Sequence, residues 1–130
     1  SVGADASLRA AKAMGGVLGA LNKSLANDLP EPLRIGIGLH TGAAILGRVG
    51  VAQSNGANQR ITALGDTVNT ASRLEGATKQ FGAELIVSKS TSDATSISLE
   101  EGQKERISIK GKQEVLDATV YKRAVRVLAD

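Results

Sequence analysis

Apolar residues recur along this chain with two distinct periods, and the switches between them mark out its elements. Over residues 5 to 27, Ala11, Met14, Leu18, Leu21 and Leu25 fall at spacings of three and four, which predicts one apolar stripe on a helix. Asp5 is the expected N-cap. Gly15, Gly16 and Gly19 each weaken that helix by about 1 kcal/mol relative to alanine, so tertiary contacts must hold it. Pro30 and Pro32 oppose its continuation. The period then becomes two. In "LRIGIGLH", Leu33, Ile35, Ile37 and Leu39 point one way and Arg34, Gly36, Gly38 and His40 the other, which predicts a strand with one buried face. Glycines on its second face mark a place where another backbone or a ligand comes close.

"HTG" turns the chain, and "AAILGRVG" is expected to return as a second strand, forming a hairpin with the first. After the polar loop "VAQSNGANQ", the short strand "RITAL" runs into Gly65-Asp66 and a helix from 67 to about 80. Val68, Ala71, Leu74, Thr78 and Phe81 of that helix face the core. "AELIVS" reads as a strand and "KSTSDAT" as a short helix or turn. "KERISIKGKQ" and "EVLDATVYKRA" read as a closing hairpin about Lys110-Gly111-Lys112. Hairpins interleaved with helices predict an α+β fold, an antiparallel-rich sheet with helices packed on one face.

Composition narrows the function. The 130 residues fit one domain, and 42% hydrophobic content is enough for a core, although one Tyr, one Phe and no Trp leave it to aliphatic packing. The absence of cysteine excludes disulfides and thiolate metal sites. No segment is long and apolar enough to span a bilayer, so no membrane contact by this segment is expected. The net charge of +3 is spread along the chain and stacking aromatics are nearly absent. Nucleic acid is therefore not the expected partner, whereas a small polyanion suits the charge balance.

Candidate chemistry gathers on "GDTVNTASRLE", residues 65 to 75. Asn69 and Arg73 lie four residues apart and share a helical face. Asn69 offers a donor and an acceptor, and Arg73 a planar fork suited to phosphate oxygens. From spacing alone, the pair is either part of a capped helix with a solvated polar side or a grip for a polyphosphate and a sugar edge. His40, the single histidine, reads first as a packed or capping residue and second as a ligand or base. The Lys110-Gly111-Lys112 tip is either solvated or a cation delivered to an anion. No cluster of His, Cys or carboxylates has metal-ligand spacing, and "KGKQ" lacks the glycine run of a P-loop.

The series "IGIGLHTG…GRVG…ITALGDTVNTASRLE…ISIKGK…VYKR" resembles the catalytic domain of the class III adenylate and guanylate cyclases, in that family's order and over nearly the whole chain. The resemblance implies a ferredoxin-like, cyclase-type sheet. It implies roles too: Asn69 positions the ribose of the nucleoside triphosphate, and Arg73 stabilises charge developing on the phosphates. Lys110 holds the terminal phosphates, and Thr62 stands where the base is read, favouring ATP over GTP. The implied reaction is attack of the ribose 3′-hydroxyl on the α-phosphate, giving 3′,5′-cyclic AMP and pyrophosphate. Two Mg²⁺ or Mn²⁺ ions are implied, bound by two aspartates that precede the matching region in the family. Residues 1 to 130 are thus expected to be the C-terminal part of a single cyclase catalytic domain, with its first strands missing. The active site of the family forms between two domains, so a homodimeric partner domain is expected. The isolated fragment is expected to be inactive and prone to self-association. A cytoplasmic location is implied, with any membrane anchor of the parent lying upstream. The alternatives are a guanylate cyclase and a non-catalytic, regulatory cyclase-like dimerisation domain.

Overall fold

The protein is described here by a computed structural model that covers residues 2–42, 45–49, 60–64, 66–108 and 115–129, with the backbone alone in 45–49 and 60–64. Its elements follow the order expected from the sequence. They are α1 (Val2–Ser24), β1 (Ile37–Leu39), β2 (Ile45–Val49), β3 (Arg60–Leu64), α2 (Asp66–Phe81), β4 (Leu85–Ser88), α3 (Lys89–Ala94), β5 (Gln103–Ser108) and β6 (Val115–Tyr121). A 3₁₀ turn, Ala124–Arg126, follows β6.

The main sheet has the strand order β1-β4-β6-β5, and β2 and β3 form a separate ribbon. Three pairings, β4–β6, β5–β6 and β2–β3, are antiparallel, so the α+β class and the antiparallel-rich character stand as expected. One pairing differs from expectation. β1 and β2 do not form a hairpin with each other: β1 runs parallel to β4, with Ile37 opposite Leu85, and β2 pairs with β3. The cause lies in β4, whose four residues are all buried, so that it must be an inner strand with a neighbour on each edge. The long connection through β2, β3 and α2 supplies the crossover that a parallel pair requires.

That inner strand also sets the layering. Leu85 and Val87 pack on one face with Leu8 and Ala11 of α1, Ile37, Tyr121, Ala124, Val127 and Leu128. Ile86 packs on the other face with Leu74 of α2, Ile107, Ala118 and Val120. The sheet thus carries α1 on one face and α2 on the other, a fuller covering than the single helical layer expected. A strand apolar on both sides needs both.

α1 differs from its predicted stripe. It begins at Val2, and the buried positions are Ala4, Leu8, Ala11 and Gly15, while Met14 and Leu21 remain 44% and 41% exposed. Small residues decide this orientation. A Cβ on Gly15 would lie 2.7 Å from the Val125 amide nitrogen, so the helix sits closer to the 3₁₀ turn than any side chain permits. Gly16 and Gly19, in contrast, face open space, with nothing within 4 Å of a Cβ built on either. Gly16→Ala and Gly19→Ala are each expected to raise stability by about 0.5–1 kcal/mol, read as a higher Tm.

β1 is shorter than the predicted strand because its N-terminal side is bonded elsewhere. The Leu33 amide donates to Asn22 Oδ1 at 2.7 Å, and Asn22 Nδ2 donates to the Leu33 carbonyl at 3.0 Å. This exchange with α1 takes the place of ladder bonds, and Leu33 is left 41% exposed.

Candidate functional site

The site is built around α2, which starts at Asp66, two residues after β3 ends at Leu64. Thr70, Leu74 and Thr78, each four apart, form its buried stripe against the sheet. Asn69 and Arg73 are both exposed on the helix, one turn apart. Neither lines the cleft described below.

The glycine face of β1 fixes the depth at which α2 rests. A Cβ on Gly38 would lie 2.5 Å from both the Ala71 carbonyl oxygen and the Glu75 amide nitrogen. One on Gly36 would lie 2.5 Å from Thr78 Oγ1. Of the two occupants expected opposite these glycines, a backbone or a ligand, the occupant is the α2 backbone. Ala71 and Glu75 flank Arg73, so the glycines place the turn that carries the cation.

The other two candidate residues are only partly placed. Thr62 lies in β3, opposite Gly47 of β2, and its backbone alone is described. Lys110, with Gly111 and Lys112, lies outside the described residues, although the flanking strands β5 and β6 pair as expected, with Ser108 opposite Val115.

His40 is half-buried within a cluster of hydroxyls brought together only by the fold. Its Nδ1 lies 2.9 Å from Ser88 Oγ and 3.1 Å from Ser90 Oγ, and these two hydroxyls are 2.8 Å apart. Beside it, Thr41 Oγ1 and Thr91 Oγ1 lie 2.8 Å apart, and the Thr41 amide donates to Ser90 Oγ at 3.3 Å. Ser88 and Thr91 are buried. A cleft of about 400 Å³ opens next to this cluster, lined by Ala4 and Ser7 of α1, residues 38–42, and Ala71 of α2.

Asp5 is not an N-cap. It lies inside the first turn of α1, and its carboxylate accepts from Thr95 Oγ1, the Ser96 amide and Ser96 Oγ across the chain. The Thr95 hydroxyl, and then the Ser96 hydroxyl and amide, hold its pKa down at about 2. A folded pKa below the usual carboxylate value means that the stabilisation is complete above about pH 4 and is lost as pH falls towards 2. Asp5→Asn is therefore expected to flatten the acid limb of the stability curve, as measured by Tm between pH 2 and 5.

Among the described residues, no group of three or more His, Cys, Asp or Glu side chains converges to hold a metal ion. No helix among the described residues is long and apolar enough to cross a membrane.

The model of the adenylate and guanylate cyclase catalytic domain covers residues 5–121, and the chain belongs to that family. Adenylate cyclase 1 of Rhizobium meliloti (strain 1021) is 46% identical over 63 residues, which are 48% of this chain and 9% of that protein. Guanylate cyclase D of Mus musculus is 39% identical over 84 residues, 65% of this chain and 7% of that protein. The chain thus spans less than a tenth of the length of either relative. The crystal structure of the guanylyl cyclase Cya2 shares the fold, with a TM-score of 0.71 at 22% identity over 89% of this chain and 57% of that one.

Proposed function

We propose that residues 1 to 130 form the C-terminal part of a cyclase catalytic domain that contributes the substrate-gripping and charge-stabilising half of an active site, with ATP as substrate. The observation that carries this reading is the shared exposed face of Asn69 and Arg73, one turn apart on a helix whose other side is anchored in the core. A homodimeric second cyclase domain closes over that face. Asn69 orients the ribose, so that the 3′-hydroxyl oxygen bonds to the α-phosphorus as the bond to the pyrophosphate leaving group breaks. Arg73 meets the charge that builds on the phosphate oxygens as this happens. Lys110 holds the terminal phosphates, and Thr62 reads the base. Ligands for the Mg²⁺ or Mn²⁺ ions of such a reaction are assigned, as the resemblance implies, to the two aspartates that precede the matching region in the family, contributed by the second domain.

The ATP reading rests on Thr62. A GTP reading has its own support in the likeness to a mouse guanylate cyclase. The two are separated by mixing the chain with a class III cyclase domain that keeps its metal-binding aspartates but has its own Asn and Arg replaced. With ATP and GTP supplied at equal concentration, cyclic AMP is expected to be the main product. Predominant cyclic GMP would reverse the base assignment. No product from either nucleotide would favour the non-catalytic, regulatory reading.

A further inference from the structure

We propose that His40 is a positioning residue for α2: it bolts the segment 38–42 to β4 and α3, and that segment seats the helix bearing Asn69 and Arg73. The inference rests on the half-site reading above for its link to catalysis, and on geometry alone for its link to α2.

Segment 38–42 meets α2 at two points. At its start, the Gly38 backbone lies against the Ala71 carbonyl and the Glu75 amide, on either side of Arg73. At its end, a Cβ on Gly42 would lie 2.6 Å from Thr67 Oγ1, two residues before Asn69. The Gly38 contact is with the helix backbone and leaves no room for a side chain, so movement of the segment there is transmitted directly to the helix. Between the two contacts lie His40 and Thr41, whose side chains bond into the hydroxyl cluster. His40 Nδ1 closes a triangle with Ser88 at the end of β4 and Ser90 in α3, with sides of 2.9, 3.1 and 2.8 Å. Thr41 adds its contacts to Ser90 and Thr91. Ser88 is fully buried at the end of β4, which ties the triangle to the interior of the sheet.

A helix seated by a close backbone contact at Gly38 and a side-chain contact at Gly42 depends on the strand between them being held still. Among the described residues β1 is three residues long and has one ladder partner, β4, so it restrains the segment little by itself. The imidazole supplies the missing restraint. Loss of that polar anchor should let the 38–42 segment shift, and a displacement of about 1 Å at the catalytic groups can cost about 100-fold in rate.

The test compares His40→Leu, which removes the polar anchor, with His40→Asn, which keeps a polar atom near the Nδ1 position. The first readout is the amide chemical shifts of residues 66–75 in the 130-residue chain, which need no activity. The second is kcat and KM for cyclic-nucleotide formation in the mixture with the aspartate-bearing domain. His40→Leu is expected to shift the α2 amides and to lower kcat about 10- to 100-fold, with KM changed less than about 3-fold. His40→Asn is expected to restore most of both. Unmoved α2 amides in a folded His40→Leu chain would overturn the proposal, as would a loss carried by KM. Equal damage from Leu and Asn would also overturn it. Should His40→Leu fail to fold, Ser90→Ala removes two sides of the triangle, leaving only the His40–Ser88 contact, and is read by the same criteria. If the wild-type mixture makes no product, the half-site reading fails, and the amide shifts alone decide the role of His40.

Discussion

Arg73→Ala is expected to lower kcat for cyclic-nucleotide formation by about 100- to 1,000-fold while leaving KM within about 3-fold, when the chain is assayed with an aspartate-bearing partner domain. The guanidinium is exposed on α2 and lies one turn from Asn69, which is assigned to the ribose. A cation that meets charge only as it develops contributes to the transition state and little to the ground state. Arg73→Lys should recover only part of the loss, because an ammonium is a point charge without the planar fork. An effect confined to KM would instead make Arg73 a binding residue. Because the position is exposed, the variant should fold as the wild type does, and an unchanged Tm is the control.

Gly38→Ala is expected to destabilise the chain by about 2–3 kcal/mol, a fall in Tm of roughly 10 °C. Its Cβ would stand 2.5 Å from two backbone atoms of α2, and a third contact, to Leu74 Cβ, would be 2.9 Å. None of these is the movable end of a flexible side chain, so the helix itself must yield. Leu74 is completely buried, and its displacement would disturb the core shared with Ile86 and Val120. Thermal unfolding followed by far-UV circular dichroism measures this directly. A change in Tm of less than about 2 °C would show that α2 is not seated as closely as described. Any activity of Gly38→Ala should fall beyond the loss of folded protein, because the same helix carries Asn69 and Arg73.

The contrast between these two sites shows what was legible in the sequence. α2 was readable because its buried stripe and its polar face follow one helical period, and its N-terminal turn carries a specific motif. The glycine face of β1 was readable because alternation is local: missing side chains at 36 and 38 announce a close neighbour, although they do not say which one. Pairing was not readable. Alternation in "LRIGIGLH" tells which face is buried but not which strand lies alongside, and the partner β4 is almost fifty residues away. The buried stripe of α1 differs from the predicted one for a related reason. Ala4, Ala11 and Gly15 carry little hydrophobic signal, yet their smallness is what lets the helix come close, whereas the bulkier Met14 and Leu21 are left partly exposed. The hydroxyls around His40 and the Thr95–Ser96 partners of Asp5 lie 48 to 50 and 90 to 91 positions away along the chain. Serine and threonine are common enough that only the fold could single these out.

The most direct test is a crystal structure of this chain paired with an aspartate-bearing cyclase domain and a non-cyclisable ATP analogue. The expected result places the Asn69 amide within hydrogen-bond reach of the ribose, and the Arg73 guanidinium against phosphate oxygens in the cleft between the two domains. A nucleotide bound elsewhere, with both side chains in open solvent outside the domain interface, would contradict it.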